Sequence, residues 1–186
     1  MSDNSNYNYD SDAVKSEIFE WVKNITFTLV SIVLIFIFVI RVVGVDGESM
    51  EPTLHDRDRL ITTNLFFEPK YGDVVVLAKD SFLDGKMIVK RIIATEGQTV
   101  DIDFEEGTVY VDGEALDEPY TADLTHRQLD MEFPITVPKD SVFVMGDNRN
   151  HSSDSRDSRL GAVNKAYILG KVIFRVYPFQ SIGTIK

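Results

Sequence analysis

The chain has 186 residues, 44% of them hydrophobic and 26% charged, which suits one globular domain with a small appendage and excludes a wholly disordered protein. A net charge of −11 argues against a nucleic-acid partner, because a phosphate backbone would be repelled. There is no cysteine, so disulfides, thiol nucleophiles and cysteine metal sites are excluded together. His55, His126 and His151 stand at no ligand-like spacing, and we expect no metal and no cofactor.

Residues 1–20 are polar and acidic and read as a disordered tail on the cytoplasmic side. From Ala13 the pattern turns helical, with Ile18, Trp21 and Val22 on one side. Trp21 and Lys23 suit a membrane-interface anchor. Residues 25–40 carry no charge, and the apolar run resumes after Arg41 to Val45, which is about the length that crosses a bilayer as a helix. We therefore expect a transmembrane helix over 21–45. A cleaved secretory leader would have a shorter apolar core, a more basic start and a small-x-small site, none of which fits. Arg41 costs little if it snorkels to the interface. The expected topology is N-terminus inside, with residues 46–186 outside and membrane lipid as one partner.

After the anchor the texture is β. Asp58–Asn64, Tyr71–Leu77 and Lys86–Ala94 read as strands, and Gln98–Phe104 and Thr108–Gly113 read as a hairpin around Glu106-Gly107. The stretch 114–132 is acidic and irregular, with a short turn of helix expected near 123–129. Extended structure resumes at Phe133–Pro138, Ser141–Met145 and Ile168–Tyr177. Many short strands with no long soluble helix predict a mostly β fold, an antiparallel sheet or open barrel, with a small inserted β subdomain at about 101–134.

Three stretches carry chemistry. Ser49 lies in Gly47-Glu48-Ser49-Met50-Glu51-Pro52-Thr53-Leu54, between a glycine and a proline, just after the apolar run ends. A loop serine usually serves a turn, so it needs a base to be a nucleophile. No histidine sits in a triad context and there is no Gly-x-Ser-x-Gly elbow. Lys90 is the candidate base. Alternation places it on one strand face with Ile88 and Ile92, where burial would lower its pKa, although an edge-strand lysine that discourages aggregation has the same pattern. The third stretch, Gly146–Arg156, alternates carboxylates, guanidiniums and hydroxyls. It is either an exposed loop of solvated ion pairs or a buried polar lattice that orients a site.

Together these stretches resemble the type I signal peptidases. Ser49–Thr53 is similar to that family's nucleophile box, Gly72-Asp73-Val74-Val75 to its second box, Lys90–Ala94 with Gly97 to its base box, and Gly146–Arg149 with Ser152, Asp154, Ser155 and Arg156 to its final signature. The resemblance implies that Ser49 is the nucleophile, that Lys90 is the general base, and that the Ser152 hydroxyl orients the lysine amine. It further implies an ion pair of Arg91 with Asp147, supporting roles for Asp154 and Arg156, and an oxyanion donor in the main-chain amide of Ser49. Some members place a second oxyanion donor, a serine, two residues before the nucleophile; this chain has Gly47 there. The implied substrates are exported preproteins, cut after small-x-small sequences such as alanine-x-alanine. Val45, Met50, Leu54, Ile88 and Val89 would flank the pockets, and the substrate would pair along Met87–Val89.

Two other readings stand beside this one. A self-cleaving repressor shares the serine–lysine pair but would need a helix-turn-helix where this chain has its apolar run. A membrane-tethered binding or assembly module could keep the fold without the activity.

Overall fold

The computed structural model describes residues 6–38, 40–65 and 67–185. Residues 1–40 and 41–186 form two compact units.

The first unit is one helix, α1 (Asn6–Phe38). It starts far earlier than the tail expected over 1–20 allows. Residues 6–20 are helical, and residues 1–5 lie outside the described residues. A helix already nucleated by the apolar run extends cheaply, one hydrogen bond per added residue. Apolar side chains from Ile18 to Leu34 are exposed on several faces of α1. Among the described residues no helix is long and apolar enough to cross a membrane. The expected helix end at Val45 is also corrected. Residues Ile40–Gly44 form a strand, β1, because the β-branched pair Val42-Val43 is taken up by a sheet edge. Val43 and Val45 are buried in the core there.

The second unit holds two antiparallel sheets. The larger has the order β1-β2-β11-β3-β4-β9-β10, with β12 added to β11. Its strands are β2 (Arg59–Thr63), β3 (Val74–Leu77), β4 (Ile88–Thr95), β9 (Ser141–Met145), β10 (Val163–Asn164), β11 (Ile168–Tyr177) and β12 (Gly183–Thr184). β3, and β9 after Ser141, are continuous apolar runs, and both strands are buried throughout, as strands covered on two faces must be. β11 is the long spine. Its first residues pair with β3 and its later ones with β2 and β12, through three shifts of register. This is the mostly β, half-barrel architecture expected from the sequence.

The smaller sheet, β7-β6-β5-β8, comprises β5 (Thr99–Asp103), β6 (Thr108–Val111), β7 (Glu114–Ala115) and β8 (Ile135–Thr136). The β5–β6 hairpin turns at Gly107, whose φ of 74° only glycine adopts freely. Val100, Ile102, Val109 and Val111 pack on Ile93 and Phe143 of the larger sheet. The helical turn expected near 123–129 is absent. Those backbone groups are held by the Asn150 side chain instead, which accepts from the amides of His126 and Arg127 and donates to the Leu124 carbonyl. Helix propensity loses to a cross-chain side chain here.

Candidate active site

The turn that carries Ser49 begins where β1 ends. Val45 donates its amide to the Asp58 carbonyl and accepts from Arg57, so the chain is gripped before it turns. Gly47 adopts φ 89° and donates its amide to Asp56 Oδ1 at 3.0 Å. Two further bonds close the turn, Glu51 N–H to the Glu48 carbonyl and Leu54 N–H to the Met50 carbonyl. Ser49 sits on this turn, partly buried. Its N–H makes no hydrogen bond among the described residues.

Lys90 reaches Ser49 from β4. Its Nζ lies 2.7 Å from Ser49 Oγ, and the residue is only 3% exposed. The register explains the placement. β4 pairs with β3 from Ile88 to Arg91, but its pairing with β9 begins only at Arg91, opposite Met145. Just beyond Met145 the chain turns away at Gly146. Lys90 therefore sits where β4 has a partner on one side only, with room for the Ser49 turn. Burial lowers its pKa from 10.5 to about 8; the charges of Asp154 and Asp147 oppose the shift and Arg156 assists it. The edge-strand alternative is overturned by this burial.

The stretch 146–156 is a buried lattice. Asp147, Arg149, Ser152, Asp154 and Arg156 are all essentially inaccessible. Asp147 receives Arg91 in two bonds, at 2.9 and 2.8 Å, and the Thr53 hydroxyl at 2.5 Å. Asp154 receives Arg156 in two bonds, at 2.8 and 2.9 Å, and the Gly146 amide at 3.0 Å. Burial alone would raise the Asp154 pKa, but the Arg156 bonds and charge hold it below the usual carboxylate value. Arg149 pairs with Glu118 in two bonds of 2.6 Å. Each ion is therefore compensated, the condition under which buried charge is tolerated.

Ser152 differs from its implied role. Its Oγ is buried and makes no hydrogen bond among the described residues, including none to Lys90, whose amine is directed at Ser49. The hydroxyl packs against Gly146, so close that a Cβ at Gly146 would overlap both Ser152 Oγ and Ser49 O. Val45, Met50, Ile88 and Val89 line a cleft of about 230 Å³ together with Ser49 and Lys90. Leu54 does not line it. It is fully buried in the core with Val43, Leu60 and Val74, because the turn folds it inward. Leu83, Met87, His151 and Ser153 also line the cleft, although the sequence offered no signal for them as lining.

Two more contributors were hidden in the sequence. The Tyr120 ring lies under the Arg91 guanidinium at 4.0 Å, and its hydroxyl donates to Glu118 Oε1 at 2.8 Å. Burial, then the Glu118 charge, pushes the Tyr120 pKa up. Asn148 bonds two carbonyls of the Ser49 turn, its side chain reaching Glu48 and its amide Ser49. Tyr120 and Glu118 show no periodic or local pattern that points to the site, since the arginines they meet, Arg91 and Arg149, lie about thirty residues away.

A β-rich domain in which a serine hydroxyl meets a buried lysine of lowered pKa, in a cleft of mixed polar and apolar lining, is equipped for hydrolysis. The chain belongs to the signal peptidases of peptidase family S26: the sequence model described as "Signal peptidase, peptidase S26" matches residues 18–177. Among its relatives, signal peptidase I of Bacillus amyloliquefaciens is 39% identical over 182 residues, covering 92% of this chain and 95% of the relative. Signal peptidase I S of Bacillus subtilis (strain 168) is 38% identical, with 90% and 94% covered. Signal peptidase IB of Staphylococcus aureus (strain COL) is 34% identical, with 90% and 93% covered. A solved signal peptidase I from Enterococcus faecalis V583 is 29% identical and matches with a TM-score of 0.45, over 56% of this chain and 97% of its own.

Proposed function

We propose that this signal peptidase is a membrane-anchored serine endopeptidase that cuts exported preproteins after small-x-small sequences, with Ser49 as nucleophile and Lys90 as general base. The observation that carries the reading is the 2.7 Å contact of Ser49 Oγ with an amine that burial holds near pKa 8. A neutral amine accepts the serine proton as Ser49 Oγ adds to the scissile carbonyl carbon. The free Ser49 N–H donates to the oxyanion that forms. Collapse breaks the C–N bond, and the protonated Lys90 returns the proton to the leaving amine. Water then gives a proton to Lys90 and its oxygen to the acyl carbon, releasing the carboxylate and Ser49. Ser152 holds a buried, unbonded hydroxyl beside this pair, which suits it to receive the Lys90 ammonium once the amine leaves Ser49.

The substrate lies extended along Met87–Val89; Ile88 and Val89 pair with β3 and, among the described residues, with no strand on their other side. Val45, Met50, Ile88 and Val89 make the apolar wall of the cleft, against which small side chains would pack. Arg91, Asp147, Asp154 and Arg156 hold the site without touching the reacting atoms. The uncharged run over residues 25–40 supports a single anchor, with residues 46–186 on the extracytoplasmic side.

The test is cleavage of a preprotein with an alanine-x-alanine site in detergent, read by mass spectrometry. Cleavage just after the second alanine by the native chain, lost in both Ser49→Ala and Lys90→Ala, is the expected result. Retained cleavage in either variant would overturn the pair.

A further inference from the structure

The nucleophile turn is clamped from a hundred residues away by one residue, through its side chain and its main chain. Asn148 Nδ2 donates to the Glu48 carbonyl at 3.1 Å, and Asn148 N–H donates to the Ser49 carbonyl at 3.1 Å. These two carbonyls belong to the two peptide planes that flank the Ser49 Cα. One plane sets φ of Ser49 and the other sets ψ, so Asn148 fixes both.

The first plane matters most. The Glu48 C=O and the Ser49 N–H are opposite ends of one trans peptide unit, and they point in opposite directions. Holding the carbonyl on the Asn148 side aims the N–H the other way, where it meets no acceptor among the described residues. We propose that Asn148 is a positioning residue that aims the Ser49 N–H at the oxyanion. This rests on the reading of Ser49 as the nucleophile. Gly47 has no side chain to donate from, and its own N–H is committed to Asp56, so the aim of the Ser49 donor carries unusual weight here. The Glu48 carbonyl also accepts from Glu51 N–H at 3.1 Å. That bond is internal to the turn and moves with it, whereas Asn148 refers the plane to the buried 146–156 lattice.

The experiment uses the full chain in detergent, with Asn148→Ala and Asn148→Asp beside Ser49→Ala. Asp keeps the size and shape of Asn but cannot donate to a carbonyl. Removing an oxyanion donor costs about 10²–10³ in kcat, and misdirecting one forfeits part of that, so both variants should lose roughly ten- to hundredfold in kcat. KM and melting temperature should hold. A peptide aldehyde ending in alanine supplies a readout that a merely structural role would not move. Ser49 Oγ adds to its carbonyl carbon, and the aldehyde oxygen occupies the oxyanion position. Its affinity should fall in parallel with kcat, while the affinity of the cleaved product peptide should not change. Unchanged kcat and aldehyde affinity in Asn148→Ala would overturn the inference while Ser49→Ala stays inactive. Activity surviving in Ser49→Ala would overturn the underlying reading and this inference with it. A fall in melting temperature with no selective loss of aldehyde affinity would reduce Asn148 to a structural tie.

Discussion

Lys90 is costly to the fold, and the burial that makes it so suits it to the proposed role of base. Its pKa falls from 10.5 to about 8 because burial penalises the ammonium. Below about pH 8 the lysine is charged in both folded and unfolded chains, and the folded state bears the whole desolvation cost. Between about 8 and 10.5 the folded chain has released its proton while the unfolded chain has not, so stability rises with pH across that window. That lowering corresponds to ~3 kcal/mol. Replacing Lys90 by Met should therefore abolish cleavage yet raise stability at pH 7 by up to ~3 kcal/mol, read by denaturant titration. The rate should follow the same proton. kcat/KM should rise through a single ionisation near pH 8 and level off above it, and a profile flat from acid to alkaline pH would refute Lys90 as base.

At the scale of the element, the 146–156 segment behaves less like a loop than like a polar core. Its two carboxylates each accept two bonds from one arginine, and neither pair meets solvent. Asp154 links the two halves of the segment, since it also takes the Gly146 amide. It also raises the Lys90 pKa through its charge. Asp154→Asn should therefore act twice. Breaking a buried pair costs ~3–5 kcal/mol, which thermal unfolding would register. With the anion gone and Arg156 uncompensated, the pH–rate midpoint should move below about 8. Asp154 has a depressed pKa, so its contribution is present above the ordinary value of 3.8 and fades as pH falls below it.

At the scale of the molecule, the strand that follows α1 belongs to the peptidase unit. Val43 and Val45 lie in one core with Leu54, Leu60 and Val74, beneath the Ser49 turn. A chain beginning at Phe38 keeps β1 and should fold with full strand content. A chain beginning at Asp46 loses both valines from the core, at about 1.5–3 kcal/mol each for full burial. Circular dichroism melts of the two should separate accordingly, and equal melting temperatures would show that β1 is dispensable. The segment that follows β7 also reaches the site through a stack: Tyr120 lies under Arg91 and binds Glu118, which holds Arg149. That stack ties residues remote in sequence to Arg91, the neighbour of Lys90 on β4.

Much of this was written in one dimension. The alternation of β5 and β6 and the apolar runs of β3, β4 and β9 specify strands locally, because side-chain period and burial are local properties. Ser49, Lys90 and the ions of 146–156 were legible as residue types in a recurring order. The chain alone could not say that β1 is a strand, since an apolar run reads the same whether lipid or a sheet covers it. It could not send Leu54 inward, leave Ser152 unbonded, or find Tyr120 and the carbonyl clamp of Asn148. Those depend on which distant atoms come within 3 or 4 Å, and only the packed sheet decides that.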